Sequence, residues 1–179
     1  MIVGLVGLHG SGKSNLSSLL EKEFGWVTVN KRVILERVFS RDFPSPENPE
    51  SIDWYRSMYK SYGVSRLMEL VLGEVPKNAN VVLDAIHNPR EWSVVKKESP
   101  SSMLVAVFSP QTTRDTRNSP QDACLDQKRV SYWHDGDSEL EACLLSEVEW
   151  AFTGVHPTEL LRAECAEFIK FLKASGCVR

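Results

Sequence analysis

The segment GLHGSGKS, residues 7–14, carries three glycines followed by an adjacent lysine and serine. It fits the pattern G-x-x-x-x-G-K-[ST] at every required position. Glycines let the backbone turn so that successive N–H groups point at phosphate oxygens, and the start of a following helix adds its positive end there. Within this pattern the Lys13 ammonium reaches the β- and γ-phosphates and the Ser14 hydroxyl binds Mg²⁺. The segment therefore predicts a site for a nucleoside triphosphate with Mg²⁺.

A ligand-free turn between a strand and a helix would need only one glycine, which favours the phosphate site over that alternative. His9 occupies one of the variable positions of the pattern. The candidate ATP-binding residues of this segment and its continuation are Gly7, His9, Gly10, Ser11, Gly12, Lys13, Ser14 and Asn15.

Asp84 directly follows a short apolar run at residues 81–83. In a parallel sheet it would emerge at the same carboxyl edge as the phosphate loop, which is where ligands of such sheets bind. A carboxylate there can hold Mg²⁺ through water or accept a proton from an acceptor hydroxyl. Asp84 is therefore a candidate catalytic residue with Lys13 and a candidate metal ligand with Ser14. The alternative is an aspartate that only caps a turn or helix.

Arg114 and Arg117 lie three residues apart and would share one face of a helix. Two guanidinium groups aimed at one place suit a transferring phosphoryl group, whose charge is spread over its outer oxygens. We predict that both bind ATP and assist catalysis. The alternative is a pair of surface charges neutralised by Asp115 and Asp122.

The remaining chain alternates strand and helix patterns. Short apolar runs predict five strands at 1–6, 26–29, 81–83, 103–108 and 150–153. Helical spacing predicts helices at 13–24, which Gly25 ends, at 33–38, and at 52–71 with a bend near Gly63. Three further helices are predicted to begin after the Asn88 cap, at a capping box at 138–141, and at Pro157. Three prolines predict a loop at 43–49. This alternation predicts an α/β fold with a mostly parallel sheet covered by helices on both faces.

The composition is that of a globular protein, with 42% hydrophobic and 25% charged residues in 179. A net charge of −3 and an isoelectric point near 5.8 argue against a broad basic surface for nucleic acid, although a local basic pocket is compatible with them. The longest apolar run, MIVGLVGL, is far shorter than a membrane span needs. We expect a cytoplasmic protein without membrane contact, with reduced cysteines of which Cys124 is the most exposed.

Three classes of protein use such a triphosphate site: kinases, GTPase switches and ATPases coupled to mechanical work or assembly. A GTPase needs a guanine-reading Asn-Lys-x-Asp, and the Asn30-Lys31 pair is not followed by that aspartate. Large assembly ATPases carry extra domains for which 179 residues leave little room. The sequence therefore favours a kinase.

With these residues assembled, the chain resembles the small P-loop kinases of the nucleoside-monophosphate kinase and dephospho-coenzyme A kinase group. Residues 84–91, DAIHNPRE, look like the segment Asp-Gly-Ile-Arg-Asn-Pro-x-Glu of dephospho-coenzyme A kinase-like proteins. Ser109-Pro110 with the following arginines looks like the start of their lid, and residues 61–66, SYGVSR, are similar to a segment of their acceptor region. Ala85 and His87 depart from the family's glycine and arginine, so an acceptor contact is missing or moved to Arg90.

The resemblance implies a single P-loop kinase domain, a three-layer sandwich. Its core would comprise 1–29, 79–110 and 138–179, with an acceptor-binding helical region at 30–78 and a lid at 111–137. It places residues 153–155, with Val155 as an ATP contact, near the adenine. The implied substrate-binding candidates are Arg32, Arg37, Arg66, His87, Arg90 and Arg129, the last adjacent to Lys128.

The resemblance implies ATP and Mg²⁺ as cofactors and a nucleotide-like acceptor, either a deoxynucleoside monophosphate or a dephospho-coenzyme A type of molecule. Viral relatives of the group also include kinases for hydroxymethyl-pyrimidines within DNA, and a base of this kind would have to be exposed or flipped out. DNA with a modified pyrimidine is therefore an alternative acceptor. A module that senses ATP without catalysis is a further alternative, and the sequence predicts no particular oligomeric state.

Overall fold

The computed structural model describes residues 1–39, 52–117 and 144–178, without the side chains of 52–56. A five-stranded sheet with the order β2-β3-β1-β4-β5 forms its centre. The strands are β1 (Ile2–Val6), β2 (Val27–Asn30), β3 (Val81–Asp84), β4 (Met103–Phe108) and β5 (Trp150–Thr153). Every neighbouring pair is parallel, so all five carboxyl ends meet at one edge.

Seven helices are assigned within the described ranges. They are α1 (Lys13–Phe24), α2 (Lys31–Phe39), α3 (Ile52–Tyr62), α4 (Val64–Gly73), α5 (Pro89–Glu98), α6 (Gln111–Arg117) and α7 (Thr158–Ala174). None of the helices in these ranges is long and apolar enough to span a membrane.

The strands are apolar on both sides because both faces of the sheet are covered. Successive residues of β1 point to opposite faces. Val3 and Leu5 pack in a core with α1 and α7, while Ile2 and Val6 pack in a second core with α2, α4 and α5. These two cores on either side of one sheet confirm the predicted three-layer α/β sandwich.

The helix boundaries follow the local signals of the sequence. Gly25 ends α1 in the left-handed region at φ 69°, and Gly63 separates α3 from α4 at φ 76°. Asn88 caps α5, since its side-chain oxygen accepts the Glu91 N–H at 2.9 Å. The bend expected near Gly63 is thus a break between two helices. The predicted loop at 43–49 and the predicted helix start at 138–141 lie outside the described residues.

Candidate phosphate and phosphoryl-transfer site

The phosphate loop connects the end of β1 to the start of α1. Gly10 and Gly12 adopt left-handed backbone conformations, with φ of 68° and 103°. A Cβ on Gly7 would lie 2.4 Å from the Val107 carbonyl oxygen of β4. The loop therefore turns tightly and packs directly against the neighbouring strand, and both features require glycine.

The start of α1 presents a surface suited to an anion. Gly12 is the N-cap residue and supplies no side-chain hydrogen bond to the first turn, and that turn contains no acidic residue. The first N–H groups of a helix lack partners within the helix, and the helix dipole adds positive charge there. In addition, the buried Ser11 Oγ has no hydrogen-bond partner among the described residues. These groups fit a bound phosphate.

Lys13 lies across the phosphate loop in this structure. Its Nζ donates to the carbonyl oxygens of Gly7 at 2.8 Å and Leu8 at 2.9 Å. Ser14 and Asn15, the next two candidate residues, are exposed on the first turn of α1, and His9 is half-buried within the loop. The ammonium group and the Ser14 hydroxyl are thus carried by adjacent residues at the same helix end.

Asp84 ends β3 at the carboxyl edge of the sheet, as the sequence predicts. Its Cα is in register with Leu5 of β1 on one side and with Asn30 of β2 on the other. Burial raises the pKa of the Asp84 carboxyl, while the nearby Lys13 and Lys31 ammonium groups lower it in part. The structure therefore brings Asp84 and Lys13 within electrostatic reach, although they are distant in sequence.

The backbone after Asp84 is held on two sides. The Ile86 N–H donates to the Leu5 carbonyl at 2.8 Å, which continues the pairing to β1. The His87 N–H donates to Glu91 Oε2 at 2.7 Å. Glu91 is the last residue of the segment DAIHNPRE, and its carboxylate makes a further set of contacts.

Those contacts form a polar cluster of the buried Lys31 and Glu91 with the half-buried Tyr59. Lys31 Nζ lies 2.7 Å from Glu91 Oε1 and 3.4 Å from the Tyr59 hydroxyl, which itself donates to Glu91 Oε1. Lys31 is 1% exposed and Glu91 0%. None of these three residues is among the predicted site residues. Lys31 belongs to a helix with other basic residues, and its neighbours in the sequence do not indicate that it is buried.

Arg117 contacts the phosphate loop from α6. Its Nη1 donates to the Gly154 carbonyl at 2.8 Å and to the Gly10 carbonyl at 3.3 Å. Arg114 is half-buried one turn earlier in the same helix. The guanidinium of Arg117 is thus placed beside the loop that would hold the phosphates.

Gly154 follows β5 and packs against the phosphate loop from the side of that strand. Its N–H donates to the Phe108 carbonyl at 2.7 Å, and the Ser109 hydroxyl donates to the Ser11 carbonyl at 2.9 Å. Val155 follows with 38% of its surface exposed. Gly154 therefore lies against the phosphate loop, while the position of residues 153–155 near an adenine stays a prediction of the resemblance.

A cavity of about 360 Å³ opens between α1 and the segment after β5. It reaches from the phosphate loop along one face of α1, where Asn15, Ser18, Leu19 and Lys22 follow one another at helical spacing. The other lining residues are Gly12, Leu16, Glu23, Val107, Arg117, Gly154, His156, Thr158 and Leu161. Ser18, Lys22 and His156 are not among the predicted residues. The helical spacing of α1 carries a signal for Ser18 and Lys22, whereas His156 lies outside that helix.

The candidate acceptor-side arginines lie on the surface in ion pairs. Arg32 pairs with Glu36 at 2.7 Å, Arg37 with Glu74 at 2.8 Å, and Arg66 with Glu69 at 3.4 Å. Exposed pairs of this kind contribute little to stability, so an acceptor phosphate can compete for the guanidinium groups.

Two further acceptor-side candidates, His87 and Arg90, lie at or just before the start of α5. His87 is half-buried, and Arg90 is exposed at the start of α5. Arg129, Lys128 and Cys124 lie outside the described residues.

The five parallel strands, with the phosphate loop at their carboxyl edge, form a fold that is also seen in solved structures of shikimate kinases and of an APS kinase. A shikimate kinase from Aquifex aeolicus superposes with a TM-score of 0.60, 15% identity and coverage of 97% of this chain and 99% of that chain. A shikimate kinase from Acinetobacter baumannii in complex with shikimate gives a TM-score of 0.60 at 12% identity, with 97% and 93% covered. These similarities show the fold.

An APS kinase from Mycobacterium tuberculosis, in complex with AMPPNP and APS, has a TM-score of 0.55 at 16% identity, with 94% and 96% of the two chains covered. No protein-family model matches the sequence.

Two archaeal proteins are similar in sequence, and both are described as UPF0200 protein. The one from Aeropyrum pernix is 28% identical over 116 residues, which are 64% of this chain and 61% of the relative. The one from Sulfurisphaera tokodaii is 26% identical over 116 residues, or 65% and 63%. The alignments thus span less than two thirds of these curated relatives.

Proposed function

We propose that this chain is an ATP- and Mg²⁺-dependent phosphotransferase that moves the γ-phosphoryl group of ATP to a nucleotide-like acceptor. The observation that carries the proposal is the position of Asp84 beside the phosphate loop, within electrostatic reach of Lys13. Binding of a triphosphate needs only the loop. A carboxylate at the adjacent strand end adds a group that can hold Mg²⁺ or take the acceptor proton.

On the donor side, Lys13 would exchange its contacts with the Gly7 and Leu8 carbonyls for the β- and γ-phosphates. Ser14 and Asp84 would hold Mg²⁺, which would neutralise phosphate charge when bound. The remaining candidate ATP contacts are the loop and helix residues Gly7, His9, Gly10, Ser11, Gly12 and Asn15. The cavity along α1 would take the base, and Val155 is a further candidate contact of ATP.

Arg114 and Arg117 are proposed to stabilise charge on the transferring group. Arg117 already lies at the loop, where it donates to two backbone carbonyls. Exchange of these neutral acceptors for phosphate oxygens would give stronger, charge-assisted hydrogen bonds. Catalysis of this reaction depends mostly on positioning and charge neutralisation, which is what such a set of residues supplies.

The acceptor is proposed from its surroundings and from the family resemblance. Exposed arginines on α2 and α4 support an acceptor that carries phosphate. The proposed acceptor contacts are Arg32, Arg37, Arg66, His87, Arg90 and Arg129. The fold neighbours include kinases named for shikimate and for APS, so the fold alone selects no acceptor.

The proposal is tested by incubation of the protein with γ-labelled ATP, Mg²⁺ and a panel of deoxynucleoside monophosphates, dephospho-coenzyme A and hydroxymethylated DNA. We expect label on a nucleotide-like acceptor, lost in Lys13→Ala and retained in Lys170→Ala, a change at an exposed position of α7. Transfer to hydroxymethylated DNA alone, with strong salt sensitivity, would instead support the DNA acceptor. Tight ATP binding with no labelled product would support a non-catalytic ATP sensor.

A further inference from the structure

The polar cluster of Lys31, Tyr59 and Glu91 joins three helices to the backbone that follows Asp84. Lys31 belongs to α2, Tyr59 to α3 and Glu91 to α5. One oxygen of the Glu91 carboxylate receives the two side chains, and the other receives the His87 N–H at 2.7 Å. A single carboxylate therefore connects the helices of the acceptor region to a main-chain group three residues after Asp84.

A fully buried ion pair requires an explanation, because removal of two charges from water is costly. Replacement of such a pair with apolar residues of similar size is often neutral or stabilising. Stability alone thus does not account for the cluster. Its distinguishing feature is the second oxygen of Glu91, which is directed at the backbone of residues 84–88.

We propose that Glu91 is a positioning residue for phosphoryl transfer: it fixes the backbone between Asp84 and His87, and Lys31 and Tyr59 hold its carboxylate in place. The inference rests on the proposed function, since it assigns Glu91 a part in the placement of Asp84. Ile86 fixes the same segment from the other side through its bond to Leu5. Small displacements of a reacting group reduce turnover strongly, so a second anchor at His87 has a direct effect on rate.

The experiment compares two double variants, K31M/E91Q and K31M/E91M. Both remove the buried charges and keep unbranched side chains of similar length. Glutamine can still accept the His87 N–H through its side-chain oxygen and donate its amide to Tyr59, whereas methionine cannot accept that hydrogen bond. Both variants lack the ion pair, and they differ in the hydrogen bonds of residue 91 to the His87 N–H and to the Tyr59 hydroxyl. Hydrogen exchange at residues 84–88 reports on the first of these two bonds.

Turnover, KM for ATP, KM for the acceptor and thermal stability are measured for both variants and the wild type. We expect similar melting temperatures and similar KM for ATP, with kcat about 10–100-fold lower in K31M/E91M than in K31M/E91Q. Hydrogen exchange of the peptide spanning 84–88 should be faster in the methionine variant. Equal kcat in two folded variants, or equal exchange, overturns the positioning role.

If K31M/E91M does not fold, exchange at the His87 amide of the wild-type protein decides the question. Strong protection supports the proposal, and exchange as fast as in exposed loops overturns it. Failure of the proposed function is recognised separately, because the wild type would then transfer phosphate to no member of the acceptor panel. In that case the positioning role for transfer is overturned as well.

Discussion

The Cα of Gly154 lies against the carbonyl oxygen of Ser11 so closely that a Cβ at residue 154 would stand 1.7 Å from that oxygen. Ser11 belongs to the phosphate loop and Gly154 to the segment after β5. The two are far apart in sequence, and their contact fixes the loop from the side of β5. The same Gly154 carbonyl accepts from Arg117. One glycine thus contacts both the loop and an arginine proposed to act on the phosphates.

Gly154→Ala is expected to displace the phosphate loop. The added methyl group would also lie 2.8 Å from the Ser109 hydroxyl oxygen, so the site has no space for it. Overpacking of this kind costs about 1–3 kcal/mol or more. We expect a lower melting temperature and weaker ATP binding, measured by thermal denaturation and calorimetric titration. Gly73→Ala is the control, because a Cβ there meets no atom within 4 Å and the melting temperature should not fall.

The two described cysteines should differ in reactivity. Burial, together with the Glu164 and Glu23 carboxylates, raises the pKa of the Cys165 thiol to about 12. Since the thiolate is the reactive form, iodoacetamide at pH 8 should leave Cys165 unmodified in the folded protein and label the half-buried Cys177. Peptide mass mapping measures both sites, and labelling in urea shows that both can react. Rapid labelling of Cys165 without denaturant would contradict its burial.

We expect the ionised Asp84 carboxylate to lower the free energy of unfolding, although it has a role in the proposed reaction. Burial raises the pKa of its carboxyl above the ordinary value of 3.8, despite the lowering by Lys13 and Lys31. The folded protein therefore binds a proton at Asp84 more readily than the unfolded chain does. Consequently, the free energy of unfolding decreases as the pH rises from 3.8 through the folded-state pKa.

Asp84→Asn is thus expected to raise the melting temperature at pH 7, and the difference should vanish below pH 3.8. The same variant should transfer phosphate about 10²–10⁴-fold more slowly. Thermal denaturation from pH 3 to pH 8 without ATP or Mg²⁺ measures the first effect. Asp115→Asn, at an exposed position of α6, is the control and should leave the melting temperature unchanged. A lower melting temperature of the Asp84 variant at pH 7 would contradict the argument from burial.

The parts of the site that sequence could predict are those encoded within a few residues. The phosphate loop is a pattern of eight residues between a strand and a helix, and the structure has both elements in place. Asp84 was placed at the correct edge because it follows an apolar run in a chain that alternates strands and helices. The helix caps at Gly25 and Asn88 are likewise encoded by residues next to the helix ends.

The remaining features depend on contacts between distant segments. Lys31 and Glu91 are 60 positions apart. Lysine and glutamate are mostly exposed in proteins, so the residue types alone do not predict that these two are buried. The strand order brings α2 and α5 onto the same face of the sheet, and composition carries no signal for that arrangement. In the sequence, Gly154 resembles any glycine of a turn, and only the structure shows that it packs against Ser11.

The Lys31–Glu91 pair gives a prediction for stability that is independent of catalysis. Lys31→Met removes the ammonium group that faces the Glu91 carboxylate, and Glu91→Gln removes the negative charge that faces Lys31. Loss of one charge of a buried ion pair typically costs about 3–5 kcal/mol. The double variant removes both charges and should be more stable than the sum of the single changes predicts, because residues in contact are not additive. Urea denaturation of all four proteins measures the coupling. The exposed pair of Lys170 and Glu167 serves as the control, with coupling close to zero. Additive effects at Lys31 and Glu91 would show that the two side chains do not interact in solution.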